Sequence, residues 1–454
     1  MNEVLSIVDV IIAPLYLILF YFVAQRIRSK NIEKDPSYRY YVTGMMVKMF
    51  GAIAVCLVYV FYYGGGDTIN YHIDCVAVSK LFLKHPWQAI RFTFLPIDAE
   101  MYYSFDNETG WLFYGYDSKA MVVDKFNWFF CFLSFNSFIG QTMLLSFICY
   151  FSIWRLYKMF LIEFPDMERN FAIAILFMPS VVFWGSGLLK DSITFAAVAA
   201  FTASFHHLLK VRKRNMANIF IIVISSYILI LIKPYIFFAV LPGSLLWFVG
   251  FQLSKLKNPI LKSAVAPLLI FISIISGYLM LRLMGESLGE YSVTKVLDKA
   301  YVTNQDLKQD YYQGASFDIG DFDPTVQGIL GKLPAAINAA LFRPYLWEAY
   351  TAGMLMSSLE NFLLLIMTIY LLLKMRVYNF FLLMFRHHVL FFSVFFSLFF
   401  SFSVGLTTSN FGSLVRYKIP AIPFYVASLF IIHYTYKKDI EKKEMDVVEK
   451  VAIT

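Results

Sequence analysis

The stretch VIIAPLYLILFYFVAQRIRSK, residues 10–30, decides the fold class. Val10 to Gln25 carry no charge, and Arg26, Arg28 and Lys30 follow at once. About 20 consecutive apolar residues span a bilayer as a helix, and cations gather at the cytoplasmic end of such a span. The acids Glu3 and Asp9 lie at its start. Acid before and base after is the reverse of a cleaved signal peptide, so the run reads as a retained span.

The same pattern recurs down the chain. Apolar runs follow at roughly 42–63, 129–153, 170–187, 192–209, 217–232, 235–251, 264–281, 352–373, 389–406 and 419–435, which predicts about eleven transmembrane helices. The sixth is short, and the second carries Lys48, whose long side chain suits snorkelling to a membrane surface. Every second loop is basic: Arg26 to Arg39, Arg155 to Arg169, Lys210 to Arg214, Lys255 to Lys262, Lys374 to Arg386, and the tail from Lys437. With eleven spans these segments share one side, which the positive-inside rule makes cytoplasmic. The N-terminus is then outside and the C-terminus inside.

Composition agrees. Hydrophobic residues make up 59% and charged residues only 15%, against about 25% charged in soluble domains. This excludes a water-soluble fold. The net charge of +8 is spread over loops between apolar runs, so it does not indicate nucleic acid. Cys56, Cys75, Cys131 and Cys149 lack metal-ligand spacing and form no disulfide framework. The expected organisation is an all-α polytopic bundle over residues 1–436 and a charged cytoplasmic tail, 437–454. Two long outer-face segments, about 64–125 and 284–351, carry interfacial helices. The first is rich in Trp87, Tyr102, Tyr103, Trp111, Tyr114 and Tyr116, and Lys80 to Arg91 reads as a helix lying on the membrane. No internal repeat of the transporter kind is evident.

Candidate chemistry gathers on the outer face. Gly64-Gly65-Gly66-Asp67-Thr68-Ile69-Asn70-Tyr71-His72 follows the second span. Glycines permit a tight turn, which sets Asp67 at the mouth of any cavity between helices. A carboxylate there suits a general base for an acceptor hydroxyl, with His72 as a second catalytic candidate and Asp74 also near enough to assist; Asp67 equally suits capping a helix. Phe183 to Ser192, FWGSGLLKDS, makes a short hairpin with Lys190 and Asp191 at the next helix start. Irregular backbone in a membrane must be buried in protein or line a cavity. Lys190-Asp191 also reads as a salt-bridged turn.

Cations stand before prolines at Lys233-Pro234, Arg343-Pro344 and Arg416-Tyr417-Lys418-Ile419-Pro420. Proline favours a helix start, whose free N–H groups attract anions. Added Lys or Arg makes a phosphate site; lipid-headgroup anchoring is the alternative. Asp321 and Asp323 form a D-x-D that suits a divalent cation, Mg or Mn, or a solvated loop. No cofactor is fixed by the sequence. Glu360 and Asn361 lie within the ninth span, where a carboxylate is a functional candidate. His206 and His207 mark an interface.

Many helices, a long first outer loop with Gly66-Asp67 and Tyr71-His72 near the membrane, and a late Arg416-Tyr417-Lys418-Ile419-Pro420 together resemble the GT-C class of membrane glycosyltransferases. Two short motifs and an architecture carry the resemblance, and one span precedes the one feeding the Asp67 loop, unlike the usual layout. The resemblance implies that Asp67 activates an acceptor. It also implies that Arg343 and Arg416 bind the phosphate of a polyprenyl-phosphate-linked sugar, in a bacterial inner membrane. The same features are similar to bacterial polysaccharide polymerases of the Wzy and EpsG kind. The expected function is glycosyl transfer from a polyprenyl-linked donor at the outer face. The expected partners are that lipid-linked sugar or glycan and membrane lipid, with no nucleic acid. Lys190, Lys233, Arg343, Arg416, Lys418, Tyr71 and Glu360 are the expected substrate contacts. A transporter or flippase of an anionic lipid or glycan, and a scaffold subunit, are the competing readings.

Overall fold

The computed structural model describes residues 4–115, 117–258, 265, 267, 268, 271, 275, 296–306 and 316–453. Among them every regular element is a helix, with one isolated antiparallel bridge between Ser316 and Asn410. Eight helices are long and apolar enough to cross a membrane: Ile7–Asn31, Pro36–Tyr63, Phe138–Glu163, Lys190–Val211, Asn215–Ile232, Pro234–Ser254, Gly353–Met375 and His388–Thr407. Phe411–Tyr417 and Ile422–Asp446 pass the same test as a pair bent by 64°. A helix satisfies its own backbone in lipid, and large apolar side chains such as Ile11, Leu15, Ile18 and Phe22 stay outside the packed interior. The chain is an all-helical membrane protein.

Among the described residues the apolar runs give these eight helices and one bent pair. The run at 264–281 lies outside the described residues, apart from residues 265, 267, 268, 271 and 275, as do Tyr116 and the loop segments 284–295 and 307–315. The run at 170–187 is not one helix. A wide turn over Ala172–Leu176 ends at Phe177, Met178 is extended before Pro179, and a short helix covers Pro179–Trp184. Proline pushes its predecessor out of the helical region. The run at 129–153 also divides. Phe135 and Asn136 have positive φ, and Ser137 caps the helix that starts at Phe138 by accepting from the Gly140 N–H. Pro86 likewise splits the interfacial helix expected at 80–91.

The chain forms two compact units, Met1–Lys233 and Pro234–Thr454. In the first, α1 (Ile7–Asn31), α2 (Tyr41–Val58), α6 (Phe138–Glu163), α7 (Lys190–His206) and α8 (Asn215–Ile232) pack together, and α6 and α7 run the same way, since Glu163 at the end of α6 meets His206 and Lys210 at and just past the end of α7. Between α2 and α6 the chain builds α3 (Asp67–Lys84), α4 (Pro86–Phe94) and α5 (Ser118–Leu133). Their own core includes Cys75, Val78, Leu81, Phe92, Met101 and Trp128. Buried Asp9 accepts from the Ser137 hydroxyl at 2.7 Å and the Ile139 N–H at 2.9 Å, tying the start of α1 to the start of α6. The start of α7 and the end of α8 meet through Asp191 and Lys233. One end of this unit therefore gathers the α3–α5 insert, Lys190 and Lys233. The other end carries Arg39–Glu168, Lys158–Asp35 and Lys210–Glu163.

Lys48 does not snorkel. It is 5% exposed and donates to the Gly185 carbonyl and the Ser186 hydroxyl. The irregular hairpin after Trp184 is satisfied from several sides, since Ser146 donates to the Ser186 carbonyl and Ser192 to the Gly187 carbonyl. This burial in protein is what irregular backbone between spans requires.

The second unit holds α9 (Pro234–Ser254), α10 (Val296–Asp306), α11 (Leu333–Phe342), α12 (Ala352–Met375), α13 (Val377–Met384), α14 (His388–Thr407), α15 (Phe411–Tyr417) and α16 (Ile422–Ile453). α14 packs against α9, α11 and α16. α16 continues unbroken through the charged tail from Lys437.

Candidate functional site

In the first unit the site is built on one face of α3. Asp67, Asn70 and Asp74 recur at helical spacing, so their side chains share that face. All three grip the segment at Phe113 and Tyr114. The Asp74 carboxylate accepts the N–H of Phe113 at 2.5 Å and of Tyr114 at 2.9 Å. The Tyr114 hydroxyl donates to Asp67 at 3.3 Å, and the Asn70 amide donates to that hydroxyl at 3.5 Å. Tyr71 is buried with its ring 5.0 Å from the Tyr114 ring. A turn from the Tyr114 carbonyl to the Asp117 N–H at 2.8 Å then leads into α5, and the Asp117 carboxylate caps that helix at the Ala120 N–H.

Gly66 with φ +116°, and not Asp67, holds the capping position of α3; Asp67 is the first helical residue. There its charge is favoured by the helix dipole. Tyr59 stands 3.0 Å from where a Gly66 side chain would begin, so the turn needs glycine for both conformation and space.

The opposite face of α3 carries His72, which is buried. Its Nδ1 pairs with the Gln141 Oε1 at 2.7 Å, and its ring lies 5.0 Å from Phe138. Burial pushes its pKa down. The structure therefore brings Tyr71 to Asp67 but turns His72 away from it, as five residues of helix require.

Behind Asp74 lies Asp124 of α5, fully buried. The two carboxyl groups act on each other. Burial raises Asp74 to about 6, against the pull of its two N–H donors. Burial, with the nearby Asp74 charge, lifts Asp124 well above the carboxylate range. Two close buried carboxylates cannot both ionise, so the more deeply buried Asp124 holds the proton. Burial and the charge of Asp67 raise the Tyr114 phenol, which keeps it a donor.

Lys190 is the first residue of α7 and lies in the field of Asp117, Asp67 and Asp124, with Lys233 opposing. Lys233 itself is buried in an ion pair with Asp191, at 2.5 Å. The two ends of the expected salt-bridged turn are thus separated: Asp191 pairs with Lys233 of the neighbouring helix.

In the second unit Arg343 forks onto Glu348, with Nε 3.0 and 3.1 Å from its carboxylate oxygens. The guanidinium lies 4.9 Å from the Phe317 ring and 5.3 Å from the Phe411 ring. Lys418 is buried and donates to Asn361 at 2.6 Å, and Asn361 donates to the Arg343 carbonyl at 2.9 Å. Buried Glu360 lies in the field of Lys418. Arg416 is half-buried in the last turn of α15.

The cations before prolines are not at helix starts in the expected sense. Lys233, Arg343 and Lys418 each close the preceding helix, as the C-terminal caps of α8, α11 and α15. A cation there complements the negative end of the helix dipole. Only Lys233 is also followed directly by a helix, α9; Pro344 leads into an extended turn and Pro420 precedes the start of α16 at Ile422. Among the described residues, no three His, Cys, Asp or Glu side chains group to hold a metal ion.

The sequence reading missed Tyr114 as a partner of Asp67, and it missed Asp124 and Glu348. The Asp117 cap and the helical repeat of Asp67, Asn70 and Asp74 were the available signals. Comparison of the chain with protein-family models, curated proteins and solved structures finds no match.

Proposed function

We propose that the protein is a membrane glycosyltransferase that moves a sugar or glycan from a polyprenyl-(di)phosphate-linked donor to an acceptor hydroxyl at the outer face of the membrane. The observation that carries this reading is the Tyr114 hydroxyl donating to the Asp67 carboxylate at the mouth of α3. An acceptor hydroxyl taking the place of Tyr114 would give its proton to Asp67. The Lys190 ammonium acts on the same carboxylate and favours its ionised form. Leaving-phosphate charge would be stabilised by a cation; Lys190 is the candidate in this unit. The loose resemblance to GT-C enzymes and to Wzy- or EpsG-type polymerases supports the same substrate class.

The test pairs turnover with binding. Purified protein in detergent is given polyprenyl-diphosphate sugar and a glycan bearing acceptor hydroxyls, and release of polyprenyl diphosphate is followed. Wild type turns over and Asp67→Asn does not, while both bind the donor. Lys190→Ala weakens binding. Undiminished turnover by Asp67→Asn removes the carboxylate from the mechanism.

A second reading, a transporter or flippase of an anionic lipid or glycan, is favoured by the interrupted helices at 168–189 and the 64° bend after Tyr417. It requires two compartments. Turnover in detergent, where there is only one, separates the two readings.

A further inference from the structure

The polar groups behind Asp67 have a division of labour. The loop carrying Tyr114 is held to α3 at its backbone by Asp74 and at its side-chain tip by Asp67 and Asn70. Removing the backbone grip loosens the tip, which is then left to the turn at Asp117 and to ring packing against Tyr71. Among the described residues no cation forms an ion pair with Asp74. Its partner on the inner side is the fully buried Asp124 carboxyl, and one oxygen of Asp124, Oδ2, finds no protein donor. A carboxylic acid beside a carboxylate is the arrangement that such burial allows.

We propose that Asp74, with Asp124 as its proton-bearing partner, is the positioning residue that sets the Tyr114 hydroxyl on Asp67. Ionised Asp74 accepts both N–H groups. When Asp74 takes up a proton itself, one carboxyl oxygen becomes a donor and the paired N–H grip is halved. Tyr114 then leaves Asp67. The groups facing this pair are Asp67 and Cys75 on α3, Tyr114 and Asp117 on the loop, and Cys131 on α5. From α7 comes the field of Lys190, itself opposed by Lys233. His72 is held by Gln141, and the buried thiols of Cys75 and Cys131 are pushed up by burial. The thiols therefore do not drive the transition, and His72 lies on the other face of α3.

The assignment rests on the reading of Asp67 as the working carboxylate, and its test is independent of turnover. The full-length protein is labelled with 3-fluorotyrosine at position 114, and its 19F signal is followed from about pH 4 to about pH 8. Wild type is expected to show one transition with a midpoint near 6, the value to which burial lifts Asp74. Asp74→Asn is expected to abolish the transition. Asp124→Asn keeps a neutral polar group beside Asp74 and is expected to retain it. A signal that does not titrate overturns the proposal. So does a transition that survives Asp74→Asn, or one that vanishes in Asp124→Asn. If the fluorine signal behaves as expected while Asp67→Asn still turns over, the proposed function fails and the positioning role stands.

Discussion

Lys233 and Asp191 form a closed ion pair, Nζ to Oδ1 2.5 Å, with side-chain exposures of 9% and 0%. The pair joins the end of α8 to the start of α7. Removing one partner strands a buried charge, which costs about 3–5 kcal/mol, whereas replacing both by apolar groups is close to neutral. Lys233→Met is therefore expected to lower stability by about that amount. Lys233→Met with Asp191→Leu should recover most of the loss. Thermal unfolding of the four proteins in one detergent gives the coupling directly. Additive losses would mean that the two side chains do not depend on each other.

Arg343 and Glu348 make the corresponding clamp in the second unit, and its geometry selects arginine. A lysine cannot fork onto a carboxylate or lie flat on Phe317 and Phe411. Arg343→Lys is expected to cost about 1.5–3 kcal/mol, the range for hydrogen bonds to charged groups. Glu348→Gln should cost a similar amount, because it keeps the shape and loses the charge. Matching losses in unfolding experiments support the clamp, and a harmless Arg343→Lys refutes it.

The apolar runs made the helical membrane fold legible, because about 20 residues of hydrocarbon leave little choice of structure. The breaks were harder to read. Ser134-Phe135-Asn136-Ser137 holds a left-handed Asn and a capping Ser inside a run that looks continuous by hydropathy alone. The cations before prolines were misplaced for a physical reason. Proline stops the helix before it as surely as it starts the one after, and Lys233, Arg343 and Lys418 fall on the stop. Asp67 was legible from the glycines that precede it. Tyr114 was not, because 47 residues separate it from Asp67 and the link passes through Asp74 and two backbone N–H groups.

Gly405 marks the closest approach of α14 to α11. A side chain begun at Gly405 would stand 2.0 Å from the Ala336 carbonyl oxygen, which is backbone and cannot turn aside. Gly405→Ala must push the two helices apart. Overpacking of this kind costs about 1–3 kcal/mol or more, which exceeds the gain of about 1 kcal/mol that alanine offers in a helix. The net expectation is loss of stability, read as a lower melting temperature. Gly331, with open space around it, is the control, and Gly331→Ala should leave the melting temperature close to wild type. Equal behaviour of the two variants would contradict the close packing of α11 and α14.

Asp74 gives the stability of the first unit a defined response to pH. Burial lifts its pKa in the folded protein to about 6, above the value of about 3.9 for an unfolded aspartate. The folded state therefore holds this proton more tightly than the unfolded state. The resulting stabilisation is fully present below about pH 4 and is lost as pH rises through about 6. Asp124, raised further by burial and by Asp74, contributes in the same direction and loses its share at higher pH. Other carboxylates act on the same curve, so the informative quantity is the difference between wild type and Asp74→Asn. Melting temperatures of the two, taken at steps from about pH 4 to about pH 8, should differ by an amount that changes between about 4 and about 6, with wild type losing ground to the variant as pH rises. A constant difference across that window would place the Asp74 proton elsewhere.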